Sequence, residues 1–335
     1  MKRISKLFIT FLLSAILLLS PMVFSGCGQN GEASSAELND MLATSAEKFY
    51  DAHTDYDNFS DITYHWKNTS TEKTTVTLNY KKNATDETTV EGKFENKTVT
   101  ETDYSVAIKK GASYYNAQII VTETVTATEY DLNADETLLS STSTTRTSDN
   151  IRIIDNNDTN NPDTYVLLWE TSEKQDDNDA TVTKKYAVLS EDTCSDYFSD
   201  YVLKYPNKRV RDTFFEVPEF IIFYKSLIDV KKDGDVTLIN IGYENMVSVD
   251  SYSYEVAKYT IKTKLYYKQN GIWKAENTFK STSKTASFQQ SASFDFTNTA
   301  IVDGTYDISE YTNSPSLGNN LYTTLNKIPE MAFFG

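Results

Sequence analysis

The chain has 335 residues, with 32 Lys and Arg against 48 Asp and Glu, two His, two Cys, 23 Tyr and 17 Phe. A net charge of −16 makes nucleic acid a poor partner, and two His with two Cys are too few soft ligands for a zinc cluster. With 11 Gly and neither GxGxxG nor GxxxxGK[ST], no dinucleotide or P-loop site is expected, nor any cofactor. Abundant Thr beside the Tyr and Phe suits a pleated, half-buried surface, so composition alone predicts β structure.

The N-terminus reads as an address. Lys2, Arg3 and Lys6 form a basic region, an apolar run follows from Leu7 to Leu19, and Pro21 ends any helix there. Phe24-Ser25-Gly26-Cys27 then fits the lipobox of bacterial lipoprotein precursors. Small Ser25 and Gly26 suit a narrow peptidase cleft, and the Cys27 thiol is the side chain that accepts a thioether-linked diacylglycerol. Phe24 stands where Leu is commoner. The same residues also allow an ordinary signal-peptidase site at Val23–Ser25, or an uncleaved helix over 7–24. We expect cleavage between Gly26 and Cys27, acylation of Cys27 and a polar tether over 27–35. Two acyl chains suffice for stable anchoring. Loss of three positive charges with residues 1–26 takes the net charge from −16 to −19. Cys194 would then be the only free thiol.

Within the mature chain, Leu38, Met41, Leu42, Ala46 and Phe49 predict an amphipathic helix over 36–50, with Ser35 as its N-cap. Strands follow. Val76, Leu78 and Tyr80 alternate with polar neighbours, as do Val90, Gly92 and Phe94, with a turn over 81–87 between them. Further strands are predicted at 104–109, 113–130, 138–147, 165–171 and 181–189, joined as an antiparallel meander. Thr122, Thr124, Thr126 and Thr128 form one row, which reads as a solvated strand face.

The pattern then changes. Cys194, Tyr197, Phe198, Tyr201, Val202 and Tyr205 follow helical spacing, and Pro206 ends the predicted helix. Pro218 suits a first helical turn, and Glu219 to Val230 is apolar nearly all round. That segment reads as a buried helix, with a buried strand as the alternative. Strands resume at 235–244, 252–268, 272–280 and 287–302, with Asn270-Gly271 as a hairpin signal. A short helix is expected near 321–327.

This order, a leading helix, antiparallel strands, apolar mid-chain helices and closing strands, resembles the lipoprotein-carrier half-barrels of the LolA/LolB type and the LppX-type lipid-binding lipoproteins. The resemblance covers roughly residues 36–302 and is one of element order and anchoring. It implies an unclosed barrel around a hydrophobic cavity, lidded by helices. Phe220, Ile221, Phe223, Tyr224 and Leu227 would line that cavity; otherwise they are core.

No side chains assemble into a recognisable catalytic pattern. His53 and His65 lack surrounding motifs, and Cys194 sits on an apolar stripe where a thiol is a small hydrophobe. The oxygen-rich stretches Asp155–Asp163 and Asp176–Asp179 read as solvated turns, with weak calcium binding as the alternative; the first lacks an EF-hand's glycine at the sixth position and its terminal glutamate. Lys204, Lys208, Arg209 and Arg211 form a basic cluster suited to lipid headgroups or to neighbouring carboxylates.

The sequence thus predicts a mainly β, α+β chain: a large curved antiparallel sheet or half-barrel with an N-terminal helix and one or two apolar helices mid-chain. Residues 1–26 are the signal, 27–35 the lipidated tether and 36–335 one domain. The expected function is non-enzymatic: a protein anchored on the extracytoplasmic face of the cell membrane, holding a lipid or other apolar ligand. The alternative is an envelope interaction or sensory module without a cavity. No metal site is expected.

Overall fold

The structure, a computed structural model, describes residues 61–110, 115–156, 164–190, 192–193, 228–234, 236–249, 256–268, 271–297, 300–302 and 305–320. The chain divides into two compact units, Met1–Ala33 and Ser34–Gly335, and all described residues lie in the second. Its described elements are strands and short 3-10 turns, so the fold is mostly β.

One twelve-stranded sheet holds them all. A first meander runs through β1 (Ile62–Tyr80), β2 (Val90–Lys110), β3 (Tyr115–Leu132), β4 (Leu138–Asp155), β5 (Thr164–Gln175) and β6 (Thr181–Ser190). A second comprises β7 (Ile228–Asp233), β8 (Val236–Val249), β9 (Val256–Lys268), β10 (Gly271–Thr282) and β11 (Ala286–Thr297). Antiparallel pairing of β1 with β11 joins the two, from Thr63↔Thr297 to Thr74↔Ala286. The first strand therefore lies mid-sheet. The two-residue β12 (Thr312–Asn313) adds in parallel to β6, which makes the sheet mixed.

The expected meander is present, and its strands are longer than their apolar patterns. The segments at 90–95 and 104–109 are parts of the single strand β2, because polar Lys97 to Asp103 continues the ladder without a break. Among the described residues only Asp192 and Thr193 are α-helical, so the helical part of the expected α+β class has no helix as its counterpart there. The helices at 36–50 and 194–205 lie outside those residues, as do 219–227 and 321–327. Ile228–Val230, read as the end of the apolar helix, instead opens β7, with Ile228 and Val230 opposite Ile241 and Ile239. β-branched residues on both sides of a ladder favour that outcome. β9 and β10 pair antiparallel as the Asn270-Gly271 signal implies, but Gly271, read as a turn residue, already pairs with Lys268.

Alternation places the larger part of the core on one face, while on β4 and β5 the opposite face, with Ile154, Val166 and Leu168, is buried as well. Leu265, Ala275, Phe294, Trp66, Tyr104 and Val121 are successive cross-strand neighbours from β9 to β3, and all are buried. Val106, Ile119, Ile151 and Trp169 form the adjoining buried row through β2–β5. Buried Asp149 is satisfied there by Trp169 Nε1 at 3.1 Å and the Thr171 hydroxyl at 2.7 Å.

A polar belt then ends the core. Asn277 Nδ2 donates to Thr263 at 2.8 Å and Gln290 Nε2 to Asn68 at 2.9 Å, each a buried pair. Beyond the belt, no residue from 69 to 101 or from 122 to 148 is buried. Strands of 18–21 residues extend about 60–70 Å. Roughly half of β1–β4 is thus a single layer, open on both faces.

Candidate functional site

The face opposite the core carries the features that distinguish this sheet. Over β4–β6 it is covered by a strap, residues 305–320. Tyr306 and Tyr311 pack on Ile154, Val166 and Leu168, and Leu317 is buried. Arg152, only 8% exposed, donates from Nη1 to the Thr305 carbonyl at 2.8 Å and from Nη2 to Tyr311 Oη at 3.1 Å. Lys184 meets Glu310 at 2.6 Å and lies 5.6 Å from the Tyr311 ring centre. The Glu310 hydrogen bond raises the Lys184 ammonium above its ordinary 10.5 against the cost of desolvation, with Glu170 adding to the rise. Asp307 caps the strap's first 3-10 turn through the Ser309 N–H at 3.0 Å. Hydrogen bonds from Ser309, side chain first, hold that carboxyl below its ordinary 3.8. The Ser314 N–H donates to the Tyr186 carbonyl at 2.8 Å, tying the strap to β6.

Beside the strap, the same face has a cavity of about 280 Å³ lined by Thr63, Ser105, Ala107, Gln118, Ile120, Thr297 and Ile301. Three hydroxyls and an amide face two isoleucines, one of them (Ile301) 88% exposed. At the margin, His65 Nε2 lies 2.8 Å from Asp103 Oδ1, and Lys67 reaches the other carboxylate oxygen at 3.3 Å. Ser105 is opposite His65 in register but makes no hydrogen bond with it, so the three do not form a nucleophile–base–acid relay.

Charge continues along these rows into β9 and β10. Glu276 accepts from Lys274 at 2.8 Å and from the Tyr266 hydroxyl at 3.2 Å, with Lys264 at 3.8 Å. The Lys274 hydrogen bond, opposed by partial burial, holds the Glu276 carboxyl below its ordinary 4.5. The same bond raises Lys274, and burial with the Glu276 charge raises the Tyr266 phenol. Alternating signs across neighbouring strands make this a mutually neutralised surface.

The single-layer half presents hydroxyls. Thr122 pairs with Ser148 at 3.1 Å, Thr126 with Thr144 at 3.2 Å and Thr128 with Thr142 at 3.0 Å. Near its tip, the rings of Tyr80 and Phe94 meet edge-on at 5.3 Å, and Phe94 and Tyr130 lie 5.4 Å apart. Gly92 allows this arrangement: a Cβ there would stand 2.5 Å from Phe94 Cζ.

Of the residues singled out by sequence, Gly26, Cys27, Phe220, Ile221, Phe223, Tyr224 and Leu227 lie outside the described residues, as do His53, Cys194 and the basic cluster. His65 is on β1. The Thr122–Thr128 row occupies one face as expected, with the hydroxyls of Thr122, Thr126 and Thr128 engaged across the ladder. Asp176 proves to be structural: its carboxylate accepts from the Thr144 N–H at 2.7 Å, with φ of 52°. The strap went unread because a 3-10 turn and a two-residue strand have no periodicity. Compared with protein-family models and with curated protein sequences, the chain matches none. Among the described residues, no helix is long and apolar enough to cross a membrane, and no three His, Cys, Asp or Glu cluster as metal ligands.

Proposed function

We propose that the chain is a membrane-anchored, extracytoplasmic interaction module, non-enzymatic and attached through acylated Cys27. The observation that carries this reading is the bare half of β1–β4, where neither face of a long polar sheet is buried. Ordering each residue costs about 1–2 kcal/mol of backbone entropy, and this region returns no core in exchange. Contact with a partner gives such an extension a use. The anchor rests on the basic region, apolar run and Cys27 of the N-terminus.

The test is photocrosslinking in cells from p-benzoylphenylalanine placed at Thr126 or Thr142. A discrete protein adduct from these positions, absent when Cys27→Ser releases the chain from the membrane, is the expected result. Adducts from neither position overturn the reading.

A second reading is favoured by the apolar core face, a buried row continuous from β9 to β3. On this view the sheet curls as a half-barrel around a lipid or other apolar ligand. An N-terminal helix and mid-chain helices complete it, with Phe220, Ile221, Phe223, Tyr224 and Leu227 lining the cavity. A stoichiometric lipid in the native mass spectrum of the Cys27→Ser body supports it. A clean apo mass after incubation with lipid extract counts against it.

A further inference from the structure

The two ends of the sheet are finished differently. β7 is six residues long and carries Asp229, Lys231, Lys232 and Asp233, the short and charged form that discourages pairing. β6 is ten residues of Thr-Val-Thr-Lys-Lys-Tyr-Ala-Val-Leu-Ser, without Pro, Gly or an acid. Such a strand is a good pairing template, and among the described residues its outer neighbour is β12 alone, opposite Lys185 and Tyr186. On either side of the covered centre, Val182 and Val188 are 51% and 53% exposed.

We propose that the strap guards a self-association edge, and that when it is displaced β6 pairs antiparallel with β6 of a second copy. This inference is independent of the partner proposed for the single-layer half. Residues directly opposed in a β ladder share a face, so across a two-fold axis odd positions meet odd and even meet even. The register that opposes Lys185 to itself meets this condition. It also sets Val182 against Val188 of the second copy, twice, turning four exposed β-branched side chains into two cross-strand pairs. Lys184 then faces Tyr186 of the second copy, replacing the Tyr311 ring it contacts under the strap. The Lys185 pair opposes the contact and keeps it weak. Net charge repels the copies at long range, but salt screens that beyond about 8 Å at physiological ionic strength.

The experiment is light scattering on the full chain in detergent, over a range of concentrations. Wild type is expected to be monomeric. Tyr311→Ala/Ser314→Pro, which removes the ring packed on Ile154, Val166 and Leu168 beside Lys184 and the N–H given to Tyr186, is expected to dimerise. Adding Val182→Lys returns the monomer, and adding Lys185→Thr lowers the dimer dissociation constant several-fold. A double variant that stays monomeric overturns the proposal. So does association that persists unchanged with Val182→Lys, because the uncovered Ile154, Val166 and Leu168 patch is then what sticks. Should the double variant unfold, Glu310→Gln removes only the ion pair to Lys184 and carries the same readout at higher concentration. A concentration-dependent dimer supports the proposal, and a monomer throughout overturns it.

Discussion

Gly92 shows how a single residue settles local packing in this sheet. Glycine inside a strand normally costs about 0.5–1 kcal/mol, and valine is the better strand former. Here the Phe94 ring lies over Gly92, where any Cβ would stand within 2.8 Å of Phe94 and Tyr80 carbons. Gly92→Val forces that ring away from Tyr80 and Tyr130, so we expect a loss of about 1 kcal/mol instead of a gain. Urea unfolding of the two proteins checks the sign. Glu276 governs pH dependence in the same way, one group at a time. Its carboxyl sits below 4.5 because Lys274 and Tyr266 bind the charged form. Its contribution is therefore complete above that ordinary value and is lost as pH falls through the lower folded value. The site is partly exposed, so the effect is at most about 1 kcal/mol. Glu276→Gln is expected to lose less stability than wild type between pH 6 and pH 3 in thermal melts. An identical pH slope in both proteins contradicts this assignment.

At the scale of the strand, sequence position within the ladder decides what a substitution costs. Phe294→Ala empties a buried site between Trp66 and Ala275 and should cost about 3–5 kcal/mol. Thr128→Ala, on the single-layer half, removes one exposed hydroxyl pair and should stay within about 0.5 kcal/mol. Denaturant midpoints for the two variants test the contrast. This division also explains what could be read in advance. Period-two alternation at Val76-Leu78-Tyr80 and at Tyr259-Ile261-Leu265 marks strands, because each needs only its own residues. Joining Val90–Glu95 to Tyr104–Lys109 as one strand requires knowing that β1 runs alongside both. The β1–β11 junction, between residues more than 200 positions apart in sequence, leaves no local trace. The apolar run before Val230 had no period to separate helix from strand, and its last three residues pair with β8. Candidate-site residues fared worse. The strap acts through Arg152, Lys184 and Tyr186, whose partners come from over a hundred residues away.

Across the whole molecule, the core and the single-layer half are distinguished by burial although they share the same strands. Stability should therefore be graded along each strand rather than from strand to strand. A hairpin truncation tests this directly. Thr74 and Asn96 are register partners, and the Thr75 N–H donates to the Thr285 carbonyl at 2.7 Å. Since backbone direction alternates along a strand, Thr74 turns its own N–H and C=O toward β2. A two-residue turn fits between such partners, so residues 75–95 can be replaced by Asn-Gly without disturbing the register below. The shortened chain loses the Tyr80 and Phe94 rings, the Lys73–Glu95 and Lys81–Glu136 contacts and the Thr75–Thr285 hydrogen bond, but none of the buried residues. We expect its melting temperature to stay within about 3 °C of wild type, the shift produced by roughly 1 kcal/mol in a large domain. A larger drop makes the projecting strands part of the folding unit and removes the reason for assigning them to a partner. A small one shows that their length is not required by the fold, and that its cause lies in what the extended sheet meets.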